Sequence, residues 1–158
     1  MKLITNYWKP LLSLLFGVAV MVFWALPYVS GLCYQEQLQM FLFDRHYFLE
    51  RIVLPGGLAD YLSEFLVQFY YMPALGAAIV GLLLMAIQGA VWGLMRQYGA
   101  KHDFPGYLLS FVPSIALWCF MGDPNVLLSF VVALWGAWRW LGFTIVSITD
   151  WSRWCFNW

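Results

Sequence analysis

Charge is what this sequence has least of. Asp, Glu, Lys and Arg make up 10% of its 158 residues, against about 25% in an ordinary soluble domain. Too few ionised side chains are present to wet the surface of a globule. Disorder is excluded as well, because a disordered chain needs low hydrophobicity and high net charge. The eight basic and eight acidic residues cancel, so the basic excess from which nucleic-acid binding is argued is absent, and no nucleic-acid partner is expected. Cysteine is scarce too: Cys33, Cys119 and Cys155 are an odd number with no CxxC pair, which excludes a disulfide-stapled secreted fold. His46 and His102 are the only histidines and lie far apart. No zinc, haem or redox motif can be built from that spacing, and no cofactor is expected. The thiols read as buried apolar side chains.

What the chain has in abundance is apolar surface. Hydrophobic residues account for 63% of it and aromatic residues for 20%, with a mean hydropathy of +0.75. The expectation is an all-α integral membrane protein, one domain over residues 1–158. A span needs about 20 mostly apolar residues, and four gaps between charges are candidates: Lys9 to Glu36, Glu64 to Arg96, Asp103 to Asp123 and Asp123 to Arg139. They predict about four transmembrane helices, near residues 10–29, 72–95, 105–122 and 126–148. The first opens at Pro10, and its length and Tyr28 at the would-be cleavage position favour an uncleaved anchor over a signal peptide. The second has Gln88 as its one strongly polar interior side chain, and its Gly89-xxx-Gly93 ridge suits close approach of another membrane helix. The third is short and interrupted by Pro113. A turn at residues 122–125 leads to the fourth, so these two read as a close-packed antiparallel pair. Arg139 then either snorkels to the inner surface or marks a helix end near Trp140. Trp151, Trp154 and Trp158 suit the headgroup level.

The basic residues orient the spans. With the N-terminus cytoplasmic, Lys2, Lys9, Arg96, Lys101, Arg139 and Arg153 fall inside and only Arg45 and Arg51 outside, which fits the positive-inside bias. The expected location is the bacterial inner membrane, with residues 30–71 extracytoplasmic and the lipid bilayer as partner. Six acids fall outside and two inside, so a neutral total divides into about −4 outside and +4 inside.

Residues 30–71 concentrate the polar chemistry. They are too apolar for a floating loop, and helix-compatible spacing predicts interfacial amphipathic helices at about 35–53 and 58–71, separated at Pro55-Gly56-Gly57. On the second, Leu58, Tyr61, Leu62, Phe65, Leu66 and Phe69 form the apolar stripe. Asp60 and Glu64, four apart, project from the opposite face. Such an acid pair suits a divalent cation, a cationic substrate or general acid–base work, or is the solvated face of an interfacial helix. Glu36, soon after the first span, is the third candidate catalytic acid, and the sequence leaves open whether a metal is held. Asp44, Arg45 and His46 read as loop solvation or an intraloop ion pair.

The runs Tyr34-Gln35-Glu36-Gln37, Phe41-Leu42-Phe43, Tyr47-Phe48-Leu49-Glu50-Arg51, Pro55-Gly56-Gly57-Leu58-Ala59-Asp60-Tyr61-Leu62 and Glu64-Phe65-Leu66-Val67-Gln68-Phe69-Tyr70-Tyr71 resemble the opening segment of an uncharacterised family of multi-pass membrane proteins of the Bacteroides group, a domain of unknown function. The resemblance covers roughly residues 8–98. Its longer members imply that this chain is an N-terminal portion or a truncated member. The layout also resembles the start of the C-type-fold glycosyltransferases acting on polyprenyl-linked sugars. By position, that likeness would make Glu36 a base or metal ligand, although the usual paired acids are replaced by Gln35 and Gln37. Three functional classes follow: a structural or interaction component, a lipid-linked-sugar transferase fragment or subunit using Glu36, Asp60 and Glu64, and a transport element built on Gln88, Pro113 and Arg139.

Overall fold

The computed structural model describes the backbone of residues 4–39, 41–98, 104–123 and 126–156, and within them side chains from residue 8 to residue 144, residue 38 excepted. Lys2, Lys101 and Asp103, and the side chains of Asp150, Trp151, Arg153, Trp154, Cys155 and Trp158, lie outside the described residues. Eight α-helices and no strand occur among those described: α1 (Ile4–Ala25), α2 (Val29–Leu38), α3 (Arg45–Val53), α4 (Gly57–Val67), α5 (Pro73–Gln97), α6 (Phe104–Leu109), α7 (Val112–Phe120) and α8 (Leu128–Phe156). Among the described residues, two helical stretches, Trp8–Ala25 and Pro73–Gln97, are long and apolar enough to cross a membrane, where four spans were expected.

The boundaries differ from expectation for local reasons. Helix α1 begins ahead of Pro10 instead of at it. The turn around the proline is held from outside, because Tyr107 Oη donates to the Lys9 carbonyl at 2.7 Å and the Trp8 ring meets Phe104 and Tyr107 at 5.2 Å. It ends before Pro27, which disfavours helical geometry in the residue ahead of it. The third stretch is two helices, not one. Pro113 has no amide to offer the Leu109 carbonyl, and the chain tightens there into three-residue turns, Ser110 N to Tyr107 O and Phe111 N to Leu108 O. Helix α8 runs unbroken past Trp140 to Phe156. Its extensive contacts are with α5 and α4, whereas α7 packs on α5, so the expected α7–α8 hairpin is not formed.

The expected helix at 35–53 is also two. Helix α2 starts six residues earlier, at Val29, and stops at Leu38; the backbone is extended at Gln39 and again at Asp44. The reason is aromatic: Phe41 is drawn onto Tyr61 and Phe65 of α4, at centroid distances of 5.0 and 5.6 Å. The second expected helix, 58–71, is α4 followed by a 3-10 turn at Gln68–Tyr71, with a break at Met72 before Pro73.

Apolar side chains cover the outside as well as the core, and a few polar ones are buried among them. Gln88, Ser110 and Ser114 are buried, while Leu11, Leu14, Leu15, Val18 and Val22 of α1 point outward. Gln88 and Ser110 are linked to each other and to α1: Ser13 Oγ donates to Gln88 Oε1 and Gln88 Nε2 to Ser110 Oγ, both at 2.9 Å. Ser114 Oγ donates to the Leu84 carbonyl at 3.2 Å. Helix α1 meets α5 where a Cβ on Gly81 would lie 2.9 Å from the Gly17 carbonyl oxygen, so the two backbones touch. The expected ridge at Gly89 and Gly93 is open, with nothing within 4 Å of either added Cβ. The thiols differ from expectation as well: Cys119 is exposed and Cys33 only half-buried.

Candidate functional site

Pro55-Gly56-Gly57 folds α4 back onto α3, and that reversal makes the site. Gly56 is left-handed at φ 85, a conformation that costs glycine little. At Gly57 an added Cβ would sit 1.7 Å from the Arg51 carbonyl oxygen, so only a hydrogen fits there. With the chain reversed so tightly, the last turn of α3 faces the middle of α4. Arg51 Nη2 donates to Glu64 Oε1 at 2.6 Å, and Tyr47 Oη donates to Glu64 Oε2. Arg51 also donates to Tyr47 Oη, from Nη2 at 3.1 Å and Nε at 3.3 Å, and its guanidinium lies 5.3 Å from the Tyr47 ring centroid. Phe41, Phe43, Tyr61 and Phe65 pack on one another, and the rings of Phe41 and Tyr61 each lie 6.4 Å from that of Tyr47.

This corrects the expected orientation of α4. Its buried residues are Gly57, Ser63, Glu64 and Val67, whereas Leu58, Leu62 and Phe69 of the expected membrane-facing apolar stripe point away from the protein interior. Glu64, only 8% exposed, is therefore not on a solvated face. The inward side is the small and polar one because α8 packs closely on α4.

The proximity tunes the partners. Burial first, and then the hydrogen bond to Glu64, raises the Tyr47 phenol above its ordinary value. Arg51 is pushed further up, first by its hydrogen bond to Tyr47, with Glu64 and Asp60 adding attraction. Asp60 thus shares the electrostatic field of Arg51, but its carboxylate makes no hydrogen bond or ion pair among the described residues. Glu36 lies half-buried on α2, and its carboxylate too has no such partner among them. The structure brings Asp60 and Glu64 to one cation and leaves Glu36 apart. Among the described residues, no three His, Cys, Asp or Glu side chains are grouped to hold a metal ion. His46 pairs instead with Glu50 at 3.2 Å, one turn along exposed α3.

Sequence reasoning missed Arg51 and Tyr47. The signal was present: a Pro-Gly-Gly reversal can bring a base four residues before it and an acid seven residues after it within reach. Chemically, a carboxylate held by a guanidinium and a phenol is neutralised and positioned, a clamp between two helices and not an available base.

No curated protein matches the chain. No solved structure matches it either. A family model does match, described as a family of unknown function (DUF6057), and it covers residues 4–157, well beyond the N-terminal stretch that carried the sequence resemblance. The chain belongs to this family of unknown function, DUF6057.

Proposed function

We propose that the chain is a multi-pass membrane protein of the bacterial inner membrane, N-terminus cytoplasmic and residues 30–71 outside, acting as a structural or interaction component. The apolar exterior carries this reading. Gln88, Ser110 and Ser114 face the interior while large apolar side chains of α1 face out. That arrangement is unfavourable in water and favourable in lipid, where helices associate through small and polar residues. A non-catalytic role is supported by the site itself, since Glu64 is engaged by Arg51 and Tyr47 and the three candidate acids do not converge. Fractionation tests it: the full chain should stay in the membrane after an alkaline carbonate wash, and a periplasm-active reporter fused after Arg51 should be active. Release into the wash or a cytoplasmic signal would overturn it.

A second reading, a fragment or subunit of an enzyme transferring lipid-linked sugar, is favoured by one observation: the Glu36 and Asp60 carboxylates have no bonding partner among the described residues. Glu36→Gln, Asp60→Asn and Glu64→Gln, assayed singly for lipid-linked sugar transfer, decide it; unchanged transfer in all three removes it.

A further inference from the structure

The open glycine ridge of α5 is one wall of a groove. Gly89, Ala90, Gly93, Leu94 and Gln97 line it from α5, and Trp138, Arg139, Gly142 and Phe143 from α8, enclosing about 240 Å³. The two helices converge at its end, where a Cβ on Gly142 would lie 3.5 Å from Leu94 and 3.8 Å from Gln97 Nε2. Gln97 closes α5, and Arg139, exposed and three residues before Gly142, stands about one helical turn short of that end. Its guanidinium has no hydrogen-bond or ion-pair partner among the described residues. The groove is thus lined mainly by small and apolar residues, with one cation, Arg139, and one amide, Gln97.

We propose that this groove binds one anionic phospholipid, an acyl chain lying against Gly89 and Gly93 and the phosphate held by Arg139 with Gln97. The inference rests on membrane residence as proposed above. Charge selects the occupant. A guanidinium offers a fork of N–H donors that matches a phosphate, whereas a second copy docked symmetrically through this groove would bring two Arg139 side chains to the same depth. The missing Cβ atoms leave room for a flexible chain along α5, and from one turn short of the helix end the long Arg139 side chain reaches headgroups by snorkelling.

The test uses the full chain in neutral detergent, stripped of lipid and titrated with phosphatidylglycerol or phosphatidylcholine, with bound lipid counted by native mass spectrometry. Phosphatidylglycerol should bind roughly fivefold tighter, the factor for one basic side chain near an anionic surface. Arg139→Gln should erase that preference. Gly93→Leu should weaken both lipids, while Gly136→Leu, at another open glycine of α8 outside the groove, should weaken neither; unchanged thermal unfolding keeps the comparison valid. Equal binding of the two lipids, a preference that survives Arg139→Gln, or a lipid-free dimer that Gly93→Leu dissociates would each overturn the proposal. Failure of the membrane reading is distinguishable, because the chain would then stay in solution without detergent.

Discussion

Arg51 and Glu64 are thirteen residues apart, on different helices, and their charged groups meet at 2.6 Å. The Glu64 side chain is 10% exposed and that of Arg51 34%, so the acid depends on the base more than the base on the acid. Arg51→Met should therefore destabilise the chain by about 1–3 kcal/mol, below the range for a fully buried pair because the guanidinium is partly wet. Adding Glu64→Gln to that variant should recover part of the loss. A double-mutant cycle on unfolding in detergent checks both; strictly additive losses would show that the two side chains do not depend on each other.

Alkaline pH should loosen the same clamp. The raised Tyr47 phenol keeps its proton to higher pH in the folded chain than in the unfolded one. Above the ordinary tyrosine value of about 10 the unfolded state releases its proton first. The folded state then binds more protons, so stability is full below that pH and declines above it. Tyr47→Phe should show a shallower decline between pH 9 and 11, on the order of this one titration, in melts followed by circular dichroism.

Gln88 joins α1 to the α6–α7 region through Ser13 and Ser110. Gln88→Leu should cost about 0.5–2 kcal/mol, the span measured for hydrogen bonds between membrane helices, and Ser13→Ala less. Unfolding in detergent reads the difference, and a Gln88→Leu chain as stable as the original would show that this hydrogen-bond bridge does not hold the helices together.

Gly81→Val should be far more harmful than Gly89→Ala. The first drives a side chain into the Gly17 carbonyl, 2.9 Å from the added Cβ, and the second meets nothing within 4 Å. A loss of about 2 kcal/mol or more is expected for Gly81→Val and under 1 for Gly89→Ala, compared by thermal inactivation of the purified chain.

Much of this was legible in the sequence. The charge-free runs located α1, α5 and α8, and Pro55-Gly56-Gly57 located the reversal before α4. The inward face of α4 was not legible, because periodicity gives a stripe without saying which medium it faces, and Leu58 and Leu62 turn outward here. Gly17 and Gly81 escaped notice for a related reason: a small-residue ridge is read within one helix, whereas this contact takes one glycine from each. Of the candidate acids, Glu64 was named for its own spacing, but its role comes from Arg51 and Tyr47, which only the folded hairpin brings to it.

The bonds that fix the first helices reach very far along the chain. Tyr28 Oη donates to the Gly122 carbonyl at 2.6 Å, Gln35 Nε2 to the Val126 carbonyl, and Lys9 receives Tyr107. Each joins a residue made early to one made more than ninety positions later. At about 5–20 residues per second, α1 waits roughly 5–20 s during synthesis before these partners exist. Helix α5, the main partner of α1, is made earlier, so a ribosome stalled ahead of Phe104 would hold α1 packed along α5 but with its Lys9 turn still unfastened.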